Sequence, residues 1–481
     1  MPQQHMDRLS SLDASFLSNE TDSSHMHVGA ILIFEGPPPS YDDLLEHIRG
    51  RLHLVPRFRQ KLAFSPLQSG RPFWIDDPTF NLEYHVRHSA LPAPGSEEQL
   101  RAMAARQFSQ QLDRTKPLWE LWLVQGLKRK RFALLSKTHH ALVDGVSGVD
   151  IATVLFDVKP VPEPAEAEHE WVPSPEPSSA SLLARNVEDV ASTPLHLARR
   201  VETTIRHPRV AARQAGESAE AVGEVAWALA NPAPEVPLNT GIGSHRRFQW
   251  VRADLAKLKR IKDALGGTVN DVVLTVVAGA MRRWLHSRGV RTEGLELRAL
   301  VPMSIRAEDE HGQLGNQIAA MRGPLPVYIA DPVRRLQAVR ESMGHVKSSK
   351  QALCAEVISR FNDFAPPTLL AQASRLNFST RLFNLIVTNV PGPQIPLYVL
   401  GRELQDVFPV AFLPENHALA IAIMSYNGNL DFGLLADYDA LEDIDVISEG
   451  ITEAVAELEQ EVERAEAEAR DESAERASAG P

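Results

Sequence analysis

The feature that most constrains this chain is a break about a third of the way along it. Six prolines (Pro160, Pro162, Pro164, Pro173, Pro175 and Pro177) fall within residues 159–177, interleaved with glutamates, and such a stretch neither continues a helix nor fills a central strand. On both sides of it the apolar spacing switches between period two and period 3.6, the mark of mingled strands and helices. A chain of 481 residues also exceeds one ordinary core, so the sequence divides into two α/β parts joined by a long connection.

In the first part, residues 1–158, strands are predicted at 28–34 and 132–138, and amphipathic helices at 41–52 and 97–112. Residues 159–245 hold the proline-rich linker and an Ala/Arg-rich helical crossover with Arg185, Arg199, Arg200, Arg206, Arg209 and Arg213. That crossover reads as a solvated helix pair, or alternatively as a basic face resting on anionic lipid. Residues 246–448 hold a predicted helix at 269–287, a strand into Val301-Pro302, a helix from Pro332 to about Lys347, and a hairpin turning at Asn427-Gly428. Residues 449–481 are read as an acidic tail, helical or disordered.

Composition removes several classes of function. The 43% hydrophobic and 23% charged residues are those of a globular protein, and no apolar run reaches the roughly 18–20 residues that span a bilayer. Cys354 is the single cysteine, which rules out an intrachain disulfide and a cysteine-rich zinc site. The first ten residues lack the apolar core of a secretory signal, so a cytoplasmic protein is expected. A net charge of −12 argues against nucleic acid as the main partner.

The chemistry concentrates in His139-His140-Ala141-Leu142-Val143-Asp144-Gly145. The strand before it ends near the histidines, and a helix is expected from Gly145 to about Phe156. Two adjacent histidines on an extended chain point to opposite faces and cannot grip one metal ion, so no metal is expected. A neutral imidazole is well suited to taking a proton near pH 7, and the positive end of the following helix disfavours its charged form. Asp144 is placed to fix the loop by capping that helix or by pairing with an arginine, and Gly145 leaves the backbone open to a substrate. The same spacing also fits two buried histidines and a helix cap.

His139-His140 with Asp144-Gly145 resembles the HHxxxDG signature of the chloramphenicol-acetyltransferase-like superfamily. More narrowly, the chain is similar to the bacterial wax ester synthase/diacylglycerol acyltransferase family. The stretches that carry the resemblance are Leu9-Ser10-Ser11-Leu12-Asp13-Ala14-Ser15-Phe16, Pro117-Leu118-Trp119, Asn270-Asp271, Val301-Pro302-Met303-Ser304-Ile305-Arg306, Leu314-Gly315-Asn316 and Thr388-Asn389-Val390-Pro391-Gly392-Pro393. The resemblance implies an α/β fold of two acetyltransferase-like halves with mixed sheets enclosing a central tunnel. It implies acyl-CoA as donor, diacylglycerol or a fatty alcohol as acceptor, His140 as general base and Asp144 as a structural residue held by Arg57 or Arg306. No cofactor is implied.

Other residues carry two readings each. Ser304 is a candidate oxyanion donor or an ordinary strand-end serine. Trp119 is a tunnel-lining residue or the start of a core strand. Asn270 and Asn389 are candidate substrate contacts, Asn389 alternatively part of a turn that shapes the tunnel wall. Asp271 suits a helix's first turn whatever the function. Asp431-Phe432-Gly433 is read as the second strand of the hairpin. With no GxSxG elbow, direct transfer without an acyl-enzyme is expected. The competing functions are an acyltransferase for a carrier-bound or secondary-metabolite acceptor, and a non-catalytic lipid-droplet coat protein. Greasy substrates and no spanning helix predict peripheral contact with membrane or droplets.

Overall fold

Period-two stretches become strands and period-3.6 stretches become helices through residues 6–66, 70–143, 155–161, 171–186, 230–304, 318–348 and 378–478, which a computed structural model describes. The first part runs β1 (Met6–Arg8), α1 (Ser11–Asn19), β2 (His27–Glu35), α2 (Tyr41–Arg49), β3 (Gln60–Ala63), β4 (Phe73–Asp76), α3 (Leu82–His85), β5 (Val86–Ala90), α4 (Glu97–Phe108), β6 (Trp119–Leu127), β7 (Arg131–His139) and α5 (His140–Val143). The second runs β8 (Arg246–Asp254), α6 (Leu255–Leu265), α7 (Val269–Ser287), β9 (Leu297–Ser304), β10 (Ile318–Leu325) and α8 (Pro332–Ser348). It continues through β11 (Leu385–Pro391), β12 (Tyr398–Val399), β13 (Arg402–Val410), β14 (Leu419–Tyr426), β15 (Asn429–Asp437) and α9 (Ile444–Ser478).

Two six-stranded mixed sheets result. The first has the order β12-β13-β2-β7-β6-β5 and the second β10-β9-β11-β14-β15-β8. Alternation along β7 sends Phe132 and Leu134 to one core and Ala133 and Leu135 to another. The second of these cores is the seam between the sheets. It joins Ile31, Ala133 and Phe408 of the first sheet to Trp250, Ile386 and Ala420 of the second. Across it Trp250 stacks on Phe408, ring centroids 4.4 Å apart.

The two parts exchange chain. β12 and β13 lie within residues 246–448, yet β13 pairs antiparallel with β2 and completes the first sheet. The triplet Asp431-Phe432-Gly433, in the second strand of the hairpin, explains how β13 is held. The Asp431 carboxylate accepts the Val407 N–H at 3.0 Å. Gly433 lies so near β13 that a Cβ there would stand 1.8 Å from the Pro409 carbonyl oxygen. The hairpin turns at Asn427 (φ 43°) and Gly428 (φ 89°), the positive φ pair of a type I′ turn.

The ends of the expected segments shift. The helix at 41–52 stops at Arg49 and passes into a 3-10 turn, and α4 stops at Phe108. The boundary at 449 falls inside α9, whose Ile447, Ile451, Leu458 and Val462 are buried in the core that also holds α7. Each such burial is worth about 1.5–3 kcal/mol, so the start of that acidic segment is structural core. The proline-rich stretch ends docked: the Arg59 guanidinium sits 4.8 Å over the Trp171 ring, and Phe80 meets that ring edge-on. Residues 162–170 and the crossover at 187–229 lie outside the described residues.

Candidate active site

β7 delivers the histidine pair, and its neighbours grip the backbone there. The His139 N–H donates to the Leu118 carbonyl at 3.0 Å and the His140 N–H to the Met26 carbonyl at 2.8 Å. Pro117-Leu118-Trp119 thus acts here through a main-chain oxygen. The chain turns helical at His140 itself, so the two side chains part company at a strand end, while most of the helix expected from Gly145 lies outside the described residues.

His139 turns into the protein. It is 1% exposed, and its Nδ1 accepts the Ala141 N–H at 3.1 Å. A ring nitrogen that accepts must carry the lone pair, which leaves the proton on Nε2. That nitrogen faces the Glu20 carboxylate at 3.5 Å. His27, opposite His139 on β2, brings its own Nε2 within 3.5 Å of Glu20, and Arg114 Nε donates to the same carboxylate at 2.8 Å. Burial alone would raise the Glu20 carboxyl, but His139, His27 and Arg114 hold it well below the ordinary carboxylate range. Burial pushes the His27 imidazole well below its usual value. The group is a buried carboxylate that orients a histidine.

His140 turns the other way, into the seam, and is half-buried. Phe16 stacks on its ring at 3.9 Å with planes 24° apart, and Phe412 meets it edge-on at 5.5 Å. Phe378 closes against both, 6.4 Å from Phe16 and 5.6 Å from Phe412. Helix α1 and its C-cap residue Glu20 therefore touch both histidines. The helix start is fixed by Ser10, whose Oγ accepts the Asp13 N–H at 3.0 Å, and at its end the Glu20 N–H donates to the Phe16 carbonyl. Glu20, Phe412 and Phe378 carry no mark in the sequence. Phe16 ends a stretch that carried the resemblance, but nothing in the residues assigned it a partner.

The remaining candidates scatter. Trp119 is 1% exposed in the helix-side core of the first sheet, with its indole N–H spent on the Phe58 carbonyl at 2.8 Å and its ring stacked on His85. The expectation that it lines a substrate channel gives way to the core-strand reading, because alternation along β6 turns it from the seam. Asn389 donates to Asn270 Oδ1 at 3.4 Å, joining β11 to the first turn of α7. Asn270 Nδ2 is buried with no hydrogen-bond partner among the described residues. Asp271 completes a capping box with Thr268, its carboxylate accepting the Thr268 N–H at 2.8 Å. Ser304 is the last residue of β9.

Arg57 engages Asp7 at 3.2 Å and Gln60 at 2.8 Å, and lies 5.2 Å over the Trp74 ring. Its expected partner Asp144, with Gly145, Arg306 and Cys354, lies outside the described residues. Two described cavities, of about 410 and 270 Å³, sit at the surface around His47 and around Trp171, and neither is lined by His140. Among the described residues, no group of three or more His, Cys, Asp or Glu side chains is placed to hold a metal ion.

Two mixed sheets meeting at a seam, with a histidine at a strand end between them, form a two-lobed α/β fold. The first condensation domain of the calcium-dependent antibiotic synthetase has this fold, with a TM-score of 0.56 over 94% of this chain and 97% of that one, at 16% identity. The chain matches the wax ester synthase/diacylglycerol acyltransferase catalytic domain over residues 9–273 and the WS/DGAT C-terminal domain over 314–459, and it belongs to that family of acyltransferases. The wax ester synthase/diacylglycerol acyltransferase of Marinobacter aquaeolei VT8 superposes with a TM-score of 0.65 at 27% identity, over 95% of this chain and 99% of that one. The probable diacylglycerol O-acyltransferase tgs1 of Mycobacterium tuberculosis is 32% identical over 94% of this chain and 96% of its own length. The tgs2 relative from the same species is also 32% identical, over 95% and 100%.

Proposed function

We propose that the protein transfers the acyl group of a long-chain acyl-CoA to the free hydroxyl of diacylglycerol, and to long-chain fatty alcohols as a second acceptor class, with His140 as general base. The observation that carries this reading is the His140 ring, presented half-buried at the seam between sheets while His139 is locked behind it. The relatives named as diacylglycerol O-acyltransferases support the choice of acceptor.

In the proposed step, the imidazole takes the hydroxyl proton as the oxygen attacks the thioester carbonyl carbon. A C–O bond forms, the C–S bond breaks, and the proton passes to the departing thiolate, giving ester and free CoA. No acyl-enzyme forms. Phe16 and Phe412 hold the ring and keep water from it. Asp144 keeps its structural role, with Arg57 or, second, Arg306 as partner. Ser304 is the proposed donor to the oxyanion, and Asn270, paired with Asn389, is a proposed substrate contact.

Among the described residues no single helix is long and apolar enough to cross a membrane. The bent pair α6–α7 passes that test by length and composition, but α7 is packed inside the core. We place the protein in the cytoplasm at the surface of membrane or lipid droplets, where both greasy substrates are found.

The test is thiol release from palmitoyl-CoA with diacylglycerol, with hexadecanol and with no acceptor. Acceptor-dependent release should fall about 10²- to 10⁴-fold in His140→Ala, the worth of a positioned base. Release unaffected by that substitution rejects the assignment of His140. No release under any condition favours a coat protein.

A further inference from the structure

At one end of the seam two arginines stand without an acidic partner among the described residues. Arg298 is the second residue of β9, and Arg322 lies on β10 directly opposite Leu300. Side chains two apart on a strand, and those paired across two strands, share a face. Arg298, Leu300 and Arg322 therefore lie on the seam side of the second sheet, where Leu300 packs into the inter-sheet core. The intervening Leu297, Ala299 and Val301 fill the helix-side core instead.

Both guanidiniums are spent on main-chain oxygens. Arg298 Nη1 and Arg322 Nη2 converge on the Asn231 carbonyl, and Arg322 Nε donates to the Leu382 carbonyl at 2.8 Å. No carboxylate of the described residues lies within ion-pair distance of either. Burial, then the neighbouring Arg298 charge, pushes the Arg322 guanidinium down to about 10. Arg381 is exposed, and its carbonyl accepts the Ala233 N–H at 2.7 Å, which sets it beside the turn that holds Asn231.

We propose that Arg298 and Arg322, with Arg381 at the rim, bind the phosphate groups at the nucleotide end of acyl-CoA. The proposal rests on the acyl-CoA reading above. A pair of half-buried cations with no carboxylate is matched by an anion rich in acceptor oxygens, and the planar guanidinium fork suits phosphate. Position supplies the rest. Leu382, whose carbonyl Arg322 holds, packs with Phe378 against the seam core. Phe378 in turn contacts Phe16 and Phe412, the rings that frame His140. A continuous run of apolar side chains thus lies between the cationic end and the base, the order of groups in a donor that carries phosphates at one end and a thioester further along.

The experiment uses the full chain, with S-palmitoyl-pantetheine as a donor that lacks the nucleotide. In Arg298→Gln/Arg322→Gln, glutamine still donates to the carbonyls while both charges are gone. The preference for palmitoyl-CoA over palmitoyl-pantetheine should shrink at least about tenfold, through KM for the CoA thioester. Adenosine 3′,5′-diphosphate, titrated by calorimetry, should bind the native protein and not the double variant, with Arg322→Lys between them. An unchanged preference, or equal losses on both thioesters, overturns the proposal. So does flotation on phosphatidate vesicles lost in the variant while the preference stays, which would give the arginines to a lipid headgroup. If the double variant does not fold, Arg322→Lys and Arg381→Gln carry the same comparison. Native protein that releases thiol from neither donor rejects the acyl-CoA reading itself. His140-dependent release with an unchanged preference in the arginine variants rejects this site alone.

Discussion

Two neighbouring histidines of the same type have opposite tasks, and the difference lies in what each ring touches. His140 is held by aromatic rings, Phe16 stacked on its face and Phe412 edge-on, which fix its plane. His139 is locked between the Ala141 amide and Glu20. Since Glu20 fixes the ring whose backbone carries the base, Glu20→Gln should lower kcat about tenfold, because small displacements of a catalytic group are costly. KM for acyl-CoA should stay within about twofold of the native value. A purely structural carboxylate would lower the melting temperature and the active fraction but leave kcat per folded molecule unchanged, and that result would reject the positioning role. The sequence shows the histidine pair because its residue types and spacing are local. It cannot show Glu20, which lies just past the end of a helix more than a hundred residues away and becomes a partner only through the pairing of β2 with β7.

At the level of elements, the sequence is most informative where one periodicity runs uninterrupted. Helix α7 begins and ends where its apolar spacing places it, and the Asn427-Gly428 turn forms as its residues demand. Non-local pairing leaves no such trace. Nothing in residues 402–410 says that they will lie beside β2, nor does a charge of −7 over residues 450–481 advertise the buried apolar stripe of α9. The clasp that enforces the β13 position has a titration signature. Asp431 is fully buried, and its carboxyl is pushed up to about 7, by burial first and by Asp406 among its neighbours. A group with a raised folded-state pKa binds its proton more tightly when folded, so its contribution is present at pH 4 and lost as the pH rises through about 7. Across that window stability should fall by up to about 1.4 kcal/mol per pH unit from this group. Denaturant unfolding at pH 5.5 and 7.5 should show native protein losing stability between the two and Asp431→Asn losing clearly less. Equal losses in both would show that the carboxyl does not titrate in this range.

For the whole molecule, the exchanged strand makes one cooperative unit of two similar lobes. The first sheet without β13 exposes the full edge of β2, with Ala30, Ile31, Leu32 and Ile33 in line, and such an edge recruits other chains. The lobes are also tied by charge. Arg252 of β8 bonds Asp406 of β13 at 2.8 Å and Glu97 of α4 at 3.0 Å, and its guanidinium is held above its usual range by those carboxylates despite burial. Residues 1–245 expressed alone should therefore aggregate, although they contain the histidine pair and most of its partners. Co-expression with residues 246–481 should return a soluble, stoichiometric pair, because β13 then arrives from the second chain. It should also return acyl transfer, since Phe412, which meets the His140 ring edge-on, and Phe378, which packs on Phe412, come only from that fragment. A first fragment that is monomeric and cooperatively folded by itself would show that β13 is an accessory to the first lobe rather than part of it. The seam, and the base within it, would then have to be assembled by docking of two independent domains.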